Sequence, residues 1–179
     1  GGALITKILI QNGISKAFCV PGESYLGVLE AIRESKNKFD LVVCRHEGGA
    51  AYMAEAYGRL TQMPGICFVT RGPGACNASI GVHTAYQEGT PLILFVGQVP
   101  VKSLKKNAFQ SIDTDKFFNS MAKYTETIKD PKNIRKILEK AIYISTEGKP
   151  GPVVLAIPED IQFAMVSDKI SEVLENKTH

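Results

Sequence analysis

Six apolar runs punctuate the chain: "KAFCVPG", "DLVVCR", "GICFVTRG", "PLILFVGQV", "AKYTETI" and "GPVVLAIP". They are rich in β-branched residues and most read as continuous rather than alternating, the pattern of strands covered on both faces. Between them the apolar spacing turns helical, over Ala3 to Asn12, Tyr25 to Ser35, Gly48 to Leu60, Ala75 to Gln87, Asp113 to Met121 and Ile134 to Thr146. Such alternation predicts an α/β fold, a doubly wound, mainly parallel six-stranded sheet with helices on both faces. Local punctuation agrees. Asp130-Pro131 sets a capping acid ahead of a proline whose fixed φ and missing N–H suit the first helical position, and Gly13 fits a helix stop.

A chain of 179 residues suffices for one domain, since a globule of this size removes roughly 70% of its unfolded surface from water. The net charge of +3 is small. Lysines gather at Lys102, Lys105 and Lys106 and between Lys129 and Lys140, but no aromatic residues alternate with them as a platform for bases requires, so no nucleic-acid partner is expected. Cys19, Cys44, Cys67 and Cys76 sit in apolar segments without a CxxC pair and read as reduced core thiols of a cytoplasmic protein. No apolar run approaches the ~18 residues needed to cross a bilayer, and the start lacks a signal-peptide layout, so no membrane role is expected. Helical periodicity begins at once after Gly1 and Gly2, an expectation that the natural polypeptide starts earlier. The domain is expected to span 1–162, with the polar stretch 163–179 opening an interdomain linker or a surface helix.

Ligands of open parallel sheets gather at the carboxyl ends of strands. There the sequence places Pro21-Gly22-Glu23, Arg45-His46-Glu47, Arg71-Gly72-Pro73-Gly74, Gly97-Gln98 and Pro158-Glu159. "RGPGACN" is either a close-approach loop before a helix with free N–H groups or simply a tight turn; it is not a dinucleotide fingerprint, because Asn77 replaces the third glycine. Glu47 has two readings as well. A carboxylate at a helix start gains about 0.3–1 kcal/mol from the dipole, whereas one in a low-dielectric cleft can handle protons. His46 reads as a hydrogen-bonded structural residue and His83 as packing. Neither a Ser-His-Asp order nor a GxSxG elbow is present.

Taken together, "FCVPGESYL", "RHEGGAAYMAEAYGR", "PGICFVTRGPGACNASIGVHTAYQEGTPLILFVGQVP", "AFQ" and "GKPGPVVLAIPEDIQ" resemble the N-terminal pyrimidine-binding domain of thiamine-diphosphate-dependent enzymes, most of all the acetolactate synthase group. The likeness runs from about Ala3 to Gln162. It implies a carboligase or decarboxylase acting on a 2-oxo acid. It also implies that Glu47 hydrogen-bonds N1′ of the cofactor's aminopyrimidine, favouring the imino tautomer that deprotonates thiazolium C2. By the same resemblance Pro21, Gly22, Gly72, Pro73, Gly74, Asn77 and Gln98 line the cofactor, and Glu23, Phe109, Gln110 and Lys123 face the substrate. The family's Mg²⁺ and diphosphate site, a "GDG" motif followed by an asparagine, belongs to a separate domain and is not in this sequence; no metal ligand is assigned here, and FAD on a middle domain stays open. The resemblance further implies a homodimer or homotetramer. Gly48, Gly49, Ala50, Ala51 and Ala54 fit either that contact or packing on the chain's own sheet.

Two departures stand out. Glu23 replaces a second glycine, placing a carboxylate that would repel an anionic 2-oxo acid or act as an acid-base group, and Ser111 to Asp115 replaces the residues that usually follow "FQ". The rivals are the small subunit of a two-chain decarboxylase of the sulfopyruvate or phosphonopyruvate type, a nucleotide or anion module using "RGPGACN", and a degenerate relative that only associates.

Overall fold

The computed structural model describes residues 1–166. All six expected strands form: β1 (Lys16–Cys19), β2 (Asp40–Val43), β3 (Gly65–Thr70), β4 (Leu92–Gln98), β5 (Tyr124–Thr127) and β6 (Pro152–Pro158). They lie in the order β2-β1-β3-β4-β6-β5 and every neighbouring pair is parallel. The connecting helices are α1 (Gly2–Gln11), α2 (Leu26–Glu34), α3 (Glu47–Thr61), α4 (Arg71–Glu88), α5 (Thr114–Phe118), α6 (Ile134–Thr146) and α7 (Glu159–Phe163).

Because successive strand residues point to opposite faces, the sheet divides the interior into two cores. Phe68, Ile93 and Phe95 meet Ile5, Ile8, Leu9 and Leu138 from α1 and α6 on one face, and the Phe68 and Phe95 rings stack 4.7 Å apart. Cys67, Val69, Leu94 and Val96 meet the alanines of α3 and α4 and Phe118 on the other. β4 and β6 are buried throughout and β3 at all but its last residue. β2 and β5 are not covered on both faces as a continuous run suggests; they are the sheet's edges and keep partly exposed residues.

α4 begins four residues earlier than the apolar spacing indicates, so Gly72, Pro73 and Gly74 form its first turn rather than a preceding loop. Periodicity misses that turn because it carries no apolar stripe, while a proline there forfeits no intrahelical hydrogen bond. α3 and α4 pack very closely: a Cβ on Gly81 would stand 2.5 Å from the Cβ of Ala51. The alanine-rich stretch therefore packs within the chain, with Gly48, Ala50, Ala51 and Ala54 buried; Gly49 faces outward. Asp130 accepts a hydrogen bond from the Lys132 N–H at 2.9 Å and starts the turn leading into α6. α5 is shorter than expected, starting after Asp113, whose side chain caps the Lys116 N–H. The expectation of a linker or helix over 163–179 falls, from 167 onward, outside the described residues. Among the described residues no helix is long and apolar enough to cross a membrane.

Candidate active site

β1 and β2 pair in register to Cys19 and Val43, so the segments that follow them leave the same edge of the sheet side by side. From β2 the backbone runs extended through His46, which caps α3: its Nδ1 accepts the Gly48 N–H at 3.0 Å. His46 is thus the structural residue expected. Glu47 is the first residue of α3 and is half-buried. Asn77, on the facing turn of α4, donates from Nδ2 to Glu47 Oε2 at 2.9 Å. Among the described residues Glu47 carries no ion pair, and its Oε1 has no hydrogen-bond donor. That oxygen faces Gly74, where a Cβ would stand 3.6 Å from it and 3.1 Å from Val69 Cβ. A glycine at 74 keeps the approach to the acid open.

The Pro21-Gly22 turn follows β1 and lies against Thr70 at the end of β3, whose hydroxyl is hydrogen-bonded to Ser24. Beyond β4, the segment 110–112 is fastened to the site's floor at two points. The Gly72 N–H donates to the Gln110 carbonyl at 2.8 Å. Gln98, buried, donates through Nε2 to the Ile112 carbonyl at 2.9 Å and accepts the Val99 N–H on Oε1. The Gln98 amide is thereby occupied in holding this segment. Gln110 sits in the left-handed region at φ 59°, and the neighbouring Phe109 ring is exposed. With the Gly72 N–H engaged and Pro73 lacking one, the start of α4 offers few free donors, and a phosphate cradle at "RGPGACN" finds little support.

Two residues depart from expectation. Lys123 precedes β5 at the amino edge of the sheet, where its Nζ donates to the Ile144 and Glu147 carbonyls at the end of α6. It caps a helix on the edge opposite Glu47, because a lysine satisfies unpaired C-terminal carbonyls. His83 is exposed on α4 rather than packed. The thiols also divide: Cys19 and Cys67 are buried, Cys44 is intermediate and Cys76 is exposed, so only part of the set is core. Burial pushes the Cys19 thiol up to about 11 and raises that of Cys67 as well.

Arg71 and Glu159, noted in the sequence only as residues at strand ends, form the shortest ion pair of this edge. Arg71 Nη2 lies 2.6 Å from Glu159 Oε1, and Nη1 lies 3.7 Å from Glu23 Oε1. A charged residue wedged between β3 and a Gly-Pro-Gly turn was the available signal. Its partners are 48 residues before and 88 after, beyond any local pattern. No group of three or more His, Cys, Asp or Glu side chains suited to a metal occurs among the described residues.

Comparison with known proteins matches residues 1–117 to the family model described as "Thiamine pyrophosphate enzyme, N-terminal TPP binding domain". Acetolactate synthase of Schizosaccharomyces pombe mitochondria is 34% identical over 170 residues, covering 95% of this chain and 25% of that protein. Acetolactate synthase of Bacillus subtilis is 35% identical over 161 residues, with 90% and 28% covered. The probable acetolactate synthase large subunit of Methanocaldococcus jannaschii is 38% identical over 164 residues, with 90% and 27% covered. The chain spans about a quarter of the length of these relatives.

Proposed function

The chain belongs to the thiamine pyrophosphate enzyme family, as its N-terminal TPP binding domain of acetolactate synthase-like type, and on that premise we propose that it serves a carboligase or decarboxylase acting on a 2-oxo acid. In this reading Glu47 is the acid that exchanges a proton with the aminopyrimidine of thiamine diphosphate. One observation carries it: Asn77 fixes Oε2 of Glu47 while Oε1 is left without a donor beside a glycine. The residues fit a flat heterocycle, since a Cβ at 74 would fill the space in front of the carboxylate.

Pro21, Gly22, Gly72, Pro73 and Gly74 would line the ring, and Asn77 would orient the acid. When bound, thiamine diphosphate supplies the electron sink for bond making and breaking at the carbonyl carbon of a 2-oxo acid. The chain's own part is to hold a proton at Glu47 Oε1 and keep the carboxylate from rotating through Asn77. Gln98 takes part by fixing the 110–112 segment that brings Phe109 and Gln110 to the same edge. The diphosphate and its Mg²⁺ fall to a diphosphate-binding domain outside this chain.

Tyr52 and Met53 of α3 and Ile80 and Tyr86 of α4 are exposed. A homodimer formed by a second copy would cover these exposed apolar side chains.

The test is hydrogen–deuterium exchange at C2 of thiamine diphosphate bound to the full-length enzyme. Glu47→Gln is expected to slow exchange by roughly 10²–10⁴-fold, the usual worth of a positioned acid-base group, without altering the circular dichroism spectrum. Exchange at the wild-type rate would remove Glu47 from the mechanism.

A further inference from the structure

Three charged side chains meet above the ends of β1, β3 and β6. Arg71 enters α4 with φ 42°, in the left-handed region that side chains other than glycine rarely adopt. Its side chain is only 11% exposed. Nη2 is firmly engaged by Glu159, the Nη1–Glu23 separation of 3.7 Å exceeds a hydrogen bond, and Nε is buried with no partner among the described residues. A guanidinium presents five N–H donors in a fixed fork, and donors buried without acceptors are costly. Arg71 is therefore held by one carboxylate and only loosely faced by another. Glu23 is 75% exposed, so it can turn away into water.

This trio is joined through the chain to the proposed cofactor cleft, at whose side Gly74 stands beside Glu47 Oε1. Glu23 follows the Pro21-Gly22 turn, and Arg71 directly precedes the Gly72-Pro73-Gly74 turn, whose last residue faces Glu47.

We propose that Arg71 is the receptor for the carboxylate of an acceptor 2-oxo acid, and that Glu23 is the internal anion that this carboxylate displaces. The proposal rests on the reading of this chain as part of a 2-oxo acid enzyme. A planar fork matches a carboxylate through two parallel N–H···O bonds, which a loosely placed glutamate does not supply. The acceptor rather than the donor is indicated because a buried guanidinium stabilises the carboxylate in the ground state. That contact opposes its loss as CO₂ but suits a carboxylate that survives into the product. The Glu23 charge, which alone would repel such a substrate, becomes a selectivity device: a neutral aldehyde leaves the Glu23–Arg71 pair in place, and only an anion competes for Arg71.

The test is a titration of the full-length, cofactor-free protein with pyruvate, read by the ¹⁵N signal of the Arg71 Nε–H, which Arg71→Lys identifies. Pyruvate is expected to shift that signal. Glu23→Gln is expected to tighten pyruvate several-fold by removing the competing anion, and Arg71→Gln to weaken it about tenfold or more. Acetaldehyde is expected to bind alike to all three proteins or to none. Should Arg71→Gln fail to fold, the exposed Glu23→Gln decides alone. Pyruvate affinity indifferent to Glu23→Gln, or no pyruvate binding by either wild type or that variant, overturns the proposal. No cofactor is present in the titration, so its failure leaves the C2 exchange result standing, and a failed exchange result leaves the titration standing.

Discussion

Asn77 donates to Glu47 across the α3–α4 interface, 30 residues away in sequence and 2.9 Å away in space. The contact exists because the two helices approach closely enough to bring the first turn of α3 against the second turn of α4. With Asn77 exposed, its removal costs the fold little, within about 0.5 kcal/mol for a surface substitution. Asn77→Ala is expected to lower kcat of the full-length enzyme about tenfold with KM little changed, since an unrestrained carboxylate spends less time in register with its proton partner. Steady-state kinetics beside a thermal melt separate this from a stability effect.

Gly74 gives a sharper test of the cleft. In Gly74→Ala the new methyl would meet Val69 Cβ at 3.1 Å and Glu47 Oε1 at 3.6 Å. The first contact asks Val69 to yield by a few tenths of an ångström, while alanine gains about 1 kcal/mol of helix propensity. Stability is expected to stay close to wild type while thiamine diphosphate binds about tenfold more weakly, a loss near 1.4 kcal/mol. Calorimetric titration of the full-length enzyme checks it; unchanged affinity would place the ring elsewhere.

All six strands were legible because their apolar runs are long enough to register as covered β-structure, and helices on both faces followed from their alternation. What the runs did not reveal was position in the sheet. DLVV in β2 looks as apolar as ILF in β4, yet β2 has a neighbour on one side only. Strand order is set by long-range pairing that no local window contains. Glu47 was legible through its place after a strand and the resemblance of its surroundings. Its hydrogen bond from Asn77 was not, nor was the Arg71 trio, because each joins residues from different elements. Lys123 shows the converse. Matching by motif drew it toward the substrate, whereas its place just before β5 puts it on the amino edge, capping α6.

The α3–α4 contact should be intolerant of volume. A methyl at position 81 would stand 2.5 Å from Ala51 Cβ and 2.8 Å from the Ala51 carbonyl carbon, and backbone cannot rotate aside as a long side chain can. Overpacking typically costs about 1–3 kcal/mol, of which alanine's helix propensity returns about 1. Gly81→Ala is expected to lose up to about 2 kcal/mol of stability, read as a lower urea midpoint, and Gly81→Val more. Because the same helices carry Glu47 and Asn77, activity of the alanine variant should fall even where the protein remains folded. Full stability in Gly81→Val would mean that the helices part without cost.

The buried thiols set an upper pH limit on stability. Burial raises Cys19 from 9.0 to about 11 and raises Cys67 in the same direction. Burial likewise raises the Tyr25 hydroxyl, which donates to the Val20 carbonyl. In each case the folded chain keeps a proton that the unfolded chain releases sooner. Below about pH 9 both states retain the thiol protons and this contribution is constant. Above it the unfolded state binds fewer protons, so stability falls with rising pH until the folded Cys19 titrates near 11. Urea denaturation should therefore show a midpoint that holds steady to about pH 9 and declines from there to about pH 10.5. In Cys19→Ser the decline should become shallower without vanishing, since Cys67 and Tyr25 remain. The exposed Cys76 should react with Ellman's reagent in the native protein well before either buried thiol, whose access requires opening of the core. A midpoint independent of pH over this range would mean that the two thiols ionise as readily in the core as in water.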